Sequence, residues 1–337
     1  MTVYADWETN YMIFSAVDGT NLQVNGNALY NPAAEIWVPK YHQGALVTAI
    51  DTYGFYGLRD ITRIKLPDSI NQIGSQAFAG DLALTAIDVY GQGGSFSSLN
   101  GVLYSTVMTT LVTYPIGKSD TSWTIPEGVL TIGSNAFNSA LNLTSVTFPT
   151  TLRYIEAEAF MFCQHLVSVT MNEGLESIGP NAFYWNALVE VNLPSTVMTI
   201  AVDAFDATPT ITLYTVAAGN THFSSYEGHL YNQDRSVLRR YAVGKTETTF
   251  SVPNGVTEIG PGAFREAKNL ETITLPDGLI TIQQSAFRSC YALTQINLPT
   301  TLYRIGSYAF QYCNTLPGIY IPENVTIMGH WVFDGCT

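Results

Sequence analysis

The dipeptide Ala-Phe recurs at nearly fixed spacing, and nothing else in the sequence restricts the fold as tightly. It stands at Ala77-Phe78, Ala136-Phe137, Ala159-Phe160, Ala182-Phe183, Ala204-Phe205, Ala263-Phe264, Ala286-Phe287 and Ala309-Phe310, with variants at Gly54-Phe55 and Val332-Phe333. Successive phenylalanines lie 23, 59, 23, 23, 22, 59, 23, 23 and 23 residues apart. A unit of that length cannot bury its apolar side alone. It must stack on its neighbours, which predicts a solenoid with one rung per repeat.

Within one unit, Ile296 and Leu298 alternate with Gln295 and Asn297, the period of a half-buried strand. Pro299 ends that strand, because proline cannot donate to a ladder. Leu302 and Ile305 turn back toward the core, Gly306 supplies a tight turn, and the Ala309-Phe310 segment reads as a short helical or irregular plug. Both 59-residue spacings carry an insertion of one type. Phe96, Gly101, Leu103 and Tyr104 are matched by Phe223, Gly228, Leu230 and Tyr231. Leu103-Tyr104 and Leu111 to Tyr114 flank a polar turn, as do Leu230-Tyr231 and Val237 to Tyr241, so each insertion predicts a β-hairpin.

Strand-ending positions give about twelve rungs, with Tyr90 and Tyr214 standing where proline is usual. The expected architecture is an α/β repeat: a curved, strand-rich solenoid with two hairpin insertions and few short helices. Residues 1–34 lack the repeat and are expected to cap it. Residues 35–337 form the solenoid, with insertions near 91–120 and 215–247. The last repeat stops at Cys336-Thr337 in mid-unit, so the natural protein is expected to continue or to have that end covered.

The motif running through Leu293, Ile296, Leu298-Pro299, Leu302, Ile305-Gly306, Ala309-Phe310 and Cys313 resembles the BspA-type leucine-rich repeat. The resemblance covers residues about 35 to 337. It implies a surface or secreted protein of anaerobic bacteria or mucosal protists, located at the cell surface or outside the cell. It further implies adhesion or binding to a protein ligand such as a host matrix or cell-surface protein. The motif residues are core residues, so no ligand-binding positions carry over from the family.

Charge narrows the partners independently. Acidic residues number 27 against 14 basic ones, a formal net charge of −13. Nucleic acid and anionic membranes require a basic surface that releases counterions. No apolar run approaches the roughly 18 residues of a membrane span. The expected partners are therefore a protein or a glycan, with no nucleic acid and no membrane insertion. No nucleophile elbow, phosphate loop or zinc spacing is present, and neither an enzyme nor a cofactor is expected.

Cys163, Cys290, Cys313 and Cys336 each follow the repeat phenylalanine by three residues and read as a ladder of buried thiols. His42, His165, His222, His229 and His330 read as solvated loop residues. Phe162 and Trp185, two residues after their repeat phenylalanines, read as a core edge. The outward positions of the main strands form a broad, mostly uncharged face bearing hydroxyls and amides. Thr147, Thr170, Glu190, Asn192, Thr212, Thr274, Asn297 and Tyr320 are the candidate partner-binding residues on it. The alternative readings are stacking of sugar rings on exposed Tyr and Trp, and a spacer that displays a further domain.

Overall fold

A computed structural model of the chain describes residues 12–18, 20–25 and 34–336. It separates into two compact units, Met1–His165 and Leu166–Thr337. Most of the expected cap at 1–34 lies outside the described residues.

Most repeats contribute two short strands, one on each of two faces, paired in parallel with those of the adjoining rungs. In the first unit, Glu35–Trp37, Arg63–Pro67 and Ala86–Tyr90 pair in that order on one face. Ser122–Thr124 pairs with Ser145–Thr147 on the same kind of face. The other face runs through Thr110–Thr113, Thr131–Ile132 and Tyr154–Ile155. In the second unit, Glu190–Leu193 pairs with Leu213–Val216, and Thr249–Ser251, Thr272–Thr274 and Gln295–Ile296 form a three-stranded sheet. The other face there runs from Val237–Arg240 through Glu258–Ile259, Thr281–Ile282 and Arg304–Ile305 to Ile327–Met328. The strands amount to about 13 turns rather than twelve.

The Ala-Phe segment is not helical, and no helix occurs among the described residues. The α/β expectation is corrected to an all-strand solenoid. Around every repeat phenylalanine except Phe205, the residues two positions before and two positions after it adopt the left-handed conformation. Around Phe137 these are Asn135 (φ 60°) and Ser139 (φ 63°), and around Phe310 they are Tyr308 and Tyr312 (both φ 60°). A right-handed helix cannot propagate through such residues. Their amides serve the next rung instead: Asn135 N donates to Ala157 O at 3.2 Å, Phe137 N to Ala159 O at 2.7 Å, and Ser139 N to Met161 O at 2.9 Å. The turn thus forms a third hydrogen-bonded side of the coil.

The core follows from that register. Within each unit, repeat phenylalanines of adjacent rungs lie over one another. Centroid spacings are 5.0 Å for Phe264–Phe287 and for Phe287–Phe310, and 4.7 Å for Phe137–Phe160. Tyr114 and Tyr241 replace phenylalanine in the rungs that follow the hairpins, stacking on Phe137 and Phe264. The hairpins are three-stranded meanders. Val102–Ser105 pairs antiparallel with both Phe96–Leu99 and Thr110–Thr113, and His229–Asn232 pairs in the same way with Phe223–Tyr226 and Val237–Arg240. Equivalent residues of the two meanders lie 127 positions apart, as with Tyr104 and Tyr231 or Tyr114 and Tyr241.

Candidate functional site

The outward strand positions form rows set by parallel pairing. In the first unit, Ser122 lies beside Ser145 and Thr124 beside Thr147. In the second, Thr249, Thr272 and Gln295 share one row, and Ser251 and Thr274 share another. Thr147, Thr170, Glu190, Asn192 and Thr274 are all exposed strand residues. The first sheet differs in character. Lys65 pairs with Glu35 at 2.6 Å and sits over the Trp37 ring, while Arg63 bonds Asp88.

Three candidate positions behave differently from expectation. Thr212 precedes its strand, and its hydroxyl donates to Val189 O of the previous rung at 3.2 Å. Thr144 and Thr294 make the same link to Thr121 O and Glu271 O. The outward residues of that strand are Leu213 and Thr215, opposite Glu190 and Asn192. The offset arises because Tyr214 does not end the strand. It pairs with Val191, is buried, and meets Phe205 edge-on. Asn297 is consumed by the backbone, since its amide accepts from Leu275 N at 2.9 Å and donates to Leu275 O at 3.2 Å. Tyr320 is 76% exposed but lies outside any strand.

The meanders also interrupt the face. Leu213–Val216 has no strand partner on its far side comparable to Glu190–Leu193, because Tyr214 N bonds Gly228 O and Val216 N bonds Ser225 Oγ of the meander. Asn192 and Thr274 therefore belong to separate sheets. Trp185 is 51% exposed, which corrects its reading as a core edge, while Phe162 is half-buried. Both carry positive φ, which turns their side chains out of the Phe column.

The cysteines occupy one structural role. The Sγ of Cys163, Cys290, Cys313 and Cys336 donates to the carbonyl of Phe137, Phe264, Phe287 and Phe310 respectively, at 3.0 to 3.2 Å. Thr208 does the same through its hydroxyl to Phe183 O at 2.8 Å. Burial pushes the Cys163 thiol up to about 12. Among the described residues, no group of three or more His, Cys, Asp or Glu has an arrangement to hold a metal ion.

Asp81 occupies the same place after Phe78 and is fully buried. Leu58 N donates to its Oδ1 at 2.7 Å, and its Oδ2 has no partner. Burial raises its pKa from 3.8 to about 8 against the opposing pull of the Leu58 and Gly57 amides. A neutral carboxyl carries a proton, as the thiols and the Thr208 hydroxyl do at equivalent positions. Between about pH 4 and pH 8 the folded state holds a proton that the unfolded chain has released, so stability falls as pH rises through that window. Asp81→Asn is expected to flatten this fall and to raise the unfolding temperature most at pH 8. Thermal unfolding from pH 5 to pH 8 checks it, and an unchanged slope in the variant would remove the assignment.

His229 is also unlike its expectation. It is 2% exposed, stacked on Tyr241 at 4.5 Å, and accepts the Ala242 N–H on Nδ1 at 3.0 Å. Its counterpart in the first meander is Val102, so neither spacing nor motif could single it out.

Comparison with known proteins agrees with this geometry. The family model for the BspA type leucine rich repeat region matches in 6 copies, over residues 40–103, 117–227 and 241–337. A leucine rich cell surface protein from Faecalibacterium prausnitzii A2-165 superposes with a TM-score of 0.65 at 21% identity, covering 99% of this chain and 86% of that one. The pneumococcal vaccine antigen PcpA superposes with a TM-score of 0.63 at 23% identity, covering 97% and 78%. At such identities these likenesses speak to fold alone. No curated protein matches in sequence. With six repeat copies spanning most of its length, the chain belongs to the BspA-type leucine-rich-repeat family.

Proposed function

We propose that this chain is a non-catalytic binding module, displayed on or outside the cell, that engages a protein partner through its outward strand rows. The observation carrying the reading is the uncharged hydroxyl array of Thr249, Ser251, Thr272 and Thr274, which lie side by side on paired strands. Short hydroxyl side chains on a rigid sheet lose little entropy on contact and offer both donors and acceptors. One structural neighbour is a leucine rich cell surface protein, which supports the location. In this reading residues 35–337 are the repeat body, and the meanders near 91–120 and 215–247 are insertions within it.

The test is surface plasmon resonance against matrix proteins, mucin and epithelial receptor ectodomains at fixed moderate salt. Saturable binding to a protein is expected, and Thr272→Arg with Thr274→Arg should weaken it at least tenfold while leaving the unfolding temperature within a few degrees. Unchanged affinity in that variant, or no saturable binding across the panel, would overturn the assignment.

A further inference from the structure

The second meander interrupts the face that carries the strand rows and serves only one of the two strands beside the break. Tyr214 N of the strand before it bonds Gly228 O at 2.8 Å, and Val216 N bonds Ser225 Oγ at 3.1 Å. The strand that resumes the face, Thr249–Ser251, is the outermost of its sheet. Among the described residues it pairs only with Thr272–Thr274. The register fixes which groups this leaves open. Val252 N bonds Thr274 O at 2.9 Å, and Thr272 N bonds Thr248 O at 3.0 Å. In a parallel ladder successive residues turn their main-chain groups to opposite sides. Phe250 and Val252 therefore face the neighbouring strand, and the N–H and C=O groups of Thr249 and Ser251 face away from it. Phe250 is half-buried at this edge, whereas Ile273, its partner in the ladder, is 1% exposed.

The edge opens on a groove of about 740 Å³, lined by Thr249, Phe250 and Ser251, by Tyr226, Glu227 and Arg235 of the meander, and by Lys245 and Glu247. An open strand edge is a template for another strand. An extended peptide laid along it gains main-chain hydrogen bonds without having to be deeply enclosed. The added strand has a second edge of its own, and the groove serves that edge too. Glu227 and Glu247 accept from its N–H groups, and Arg235 and Lys245 donate to its carbonyls. The first meander stands in the same relation to Ser122–Thr124, also an outermost strand. There Leu99, Asn100 and Met108 replace Tyr226, Glu227 and Arg235, so an added strand would meet mostly apolar side chains along its outer edge. Of the two breaks, the second is the one equipped on both sides.

From these observations we infer that the groove beside Thr249–Ser251 receives an extended, uncharged segment of the protein partner, added to the sheet as a further strand. The segment alternates in character. Hydroxyl-bearing residues continue the outward rows of Thr249 and Ser251, and β-branched apolar residues rest on Phe250. The chain's own ladders take this pattern at the neighbouring positions, as in Ser145–Thr147 and Thr272–Thr274. The inference deepens the reading of the strand rows and rests on it, by naming the form in which the partner arrives.

The probe is a short end-blocked peptide of alternating threonine and valine, titrated into the whole chain and followed by calorimetry and by amide hydrogen exchange. Saturable binding is expected at millimolar concentration or below, with exchange of the Thr249 and Ser251 amides slowed about tenfold or more. A fully N-methylated version keeps the side chains, loses the ladder donors and should not bind. Ser251→Pro deletes one outward N–H and spares the ladder to Thr274, because proline is tolerated at an open edge. It should weaken binding about tenfold, with the unfolding temperature within a few degrees. No saturable binding, equal binding of the methylated peptide, or unchanged exchange at both amides would each overturn strand addition. A panel protein that binds through the strand rows while the peptide does not overturns strand addition alone, and silence of both overturns both readings.

Discussion

Asp206→Ala is expected to destabilise the second unit by about 3–5 kcal/mol, the loss that follows when one partner of a buried ionic group is removed. The Asp206 carboxylate has only 6% side-chain exposure and holds two guanidiniums, Arg240 Nη2 on Oδ1 and Arg265 Nη1 on Oδ2, each at 2.6 Å. Arg240 also donates to Gly262 O at 2.7 Å, so it is fixed in place when the carboxylate is gone. Two cations would then face each other without compensation. The first unit carries the control. Its equivalents are Ala79, Thr113 and Asn138, which line a cavity of about 430 Å³ and carry no charge. Asp206→Ala combined with Arg240→Thr and Arg265→Asn should therefore recover most of the loss, because buried charges are removed together rather than stranded. Chemical denaturation of the single and triple variants measures both. A single variant costing under about 1 kcal/mol, or a triple variant no better than the single, would show that the triad does not hold the rungs together.

The rung and its register were legible because one aromatic slot recurs, filled by phenylalanine except at Tyr114 and Tyr241 after the meanders. Its spacing survives every substitution around it. Ile296 and Leu298 marked the first strand through alternation. The second strand escaped because it is only two residues long, as at Arg304–Ile305, too short to display any period. The turn around Ala309-Phe310 suggested a helix because its left-handed positions are filled by Tyr308 and Tyr312 rather than glycine. Their conformation is imposed by hydrogen bonds to the next rung, Tyr308 N to His330 O at 2.9 Å and Tyr312 N to Asp334 O at 2.8 Å. Such long-range bonds override local propensity, and no local signal reports them.

The same reason explains the site. Asp206 meets Arg240 and Arg265 across 34 and 59 residues of sequence. His229 is buried because Tyr241 and Phe250 return beside the meander and pack on its ring. Thr212 falls off the face because Tyr214, which stands where proline usually ends the strand, instead lies within it and meets Phe205 edge-on. Exposed rows could be anticipated from alternation. Which of their amides the backbone already uses, as at Asn297, could not.

Phe287→Ala should cost about 3–5 kcal/mol, the usual penalty for emptying a phenylalanine-sized core site. Phe287 is fully buried between Phe264 and Phe310, its ring within 13° and 7° of theirs. Few neighbouring atoms can collapse into the gap, because the rungs above and below are held at strand spacing by the ladder Glu258–Ile259, Thr281–Ile282 and Arg304–Ile305. Phe333→Ala makes the contrast. That ring is half-buried and, among the described residues, stacks on Phe310 alone at 5.5 Å, so its loss should be about half as large. In a one-dimensional stack each rung's stability comes from its own packing and from its interfaces with its two neighbours. Removing Phe287 weakens two interfaces, and removing Phe333 weakens, among the described residues, the one with Phe310. Hydrogen exchange should accordingly show both rungs flanking residue 287 opening in Phe287→Ala. In Phe333→Ala the change should stay within the last rung. Equal destabilisation by the two variants, with exchange rising uniformly over the second unit, would mean that it unfolds as one cooperative block rather than rung by rung.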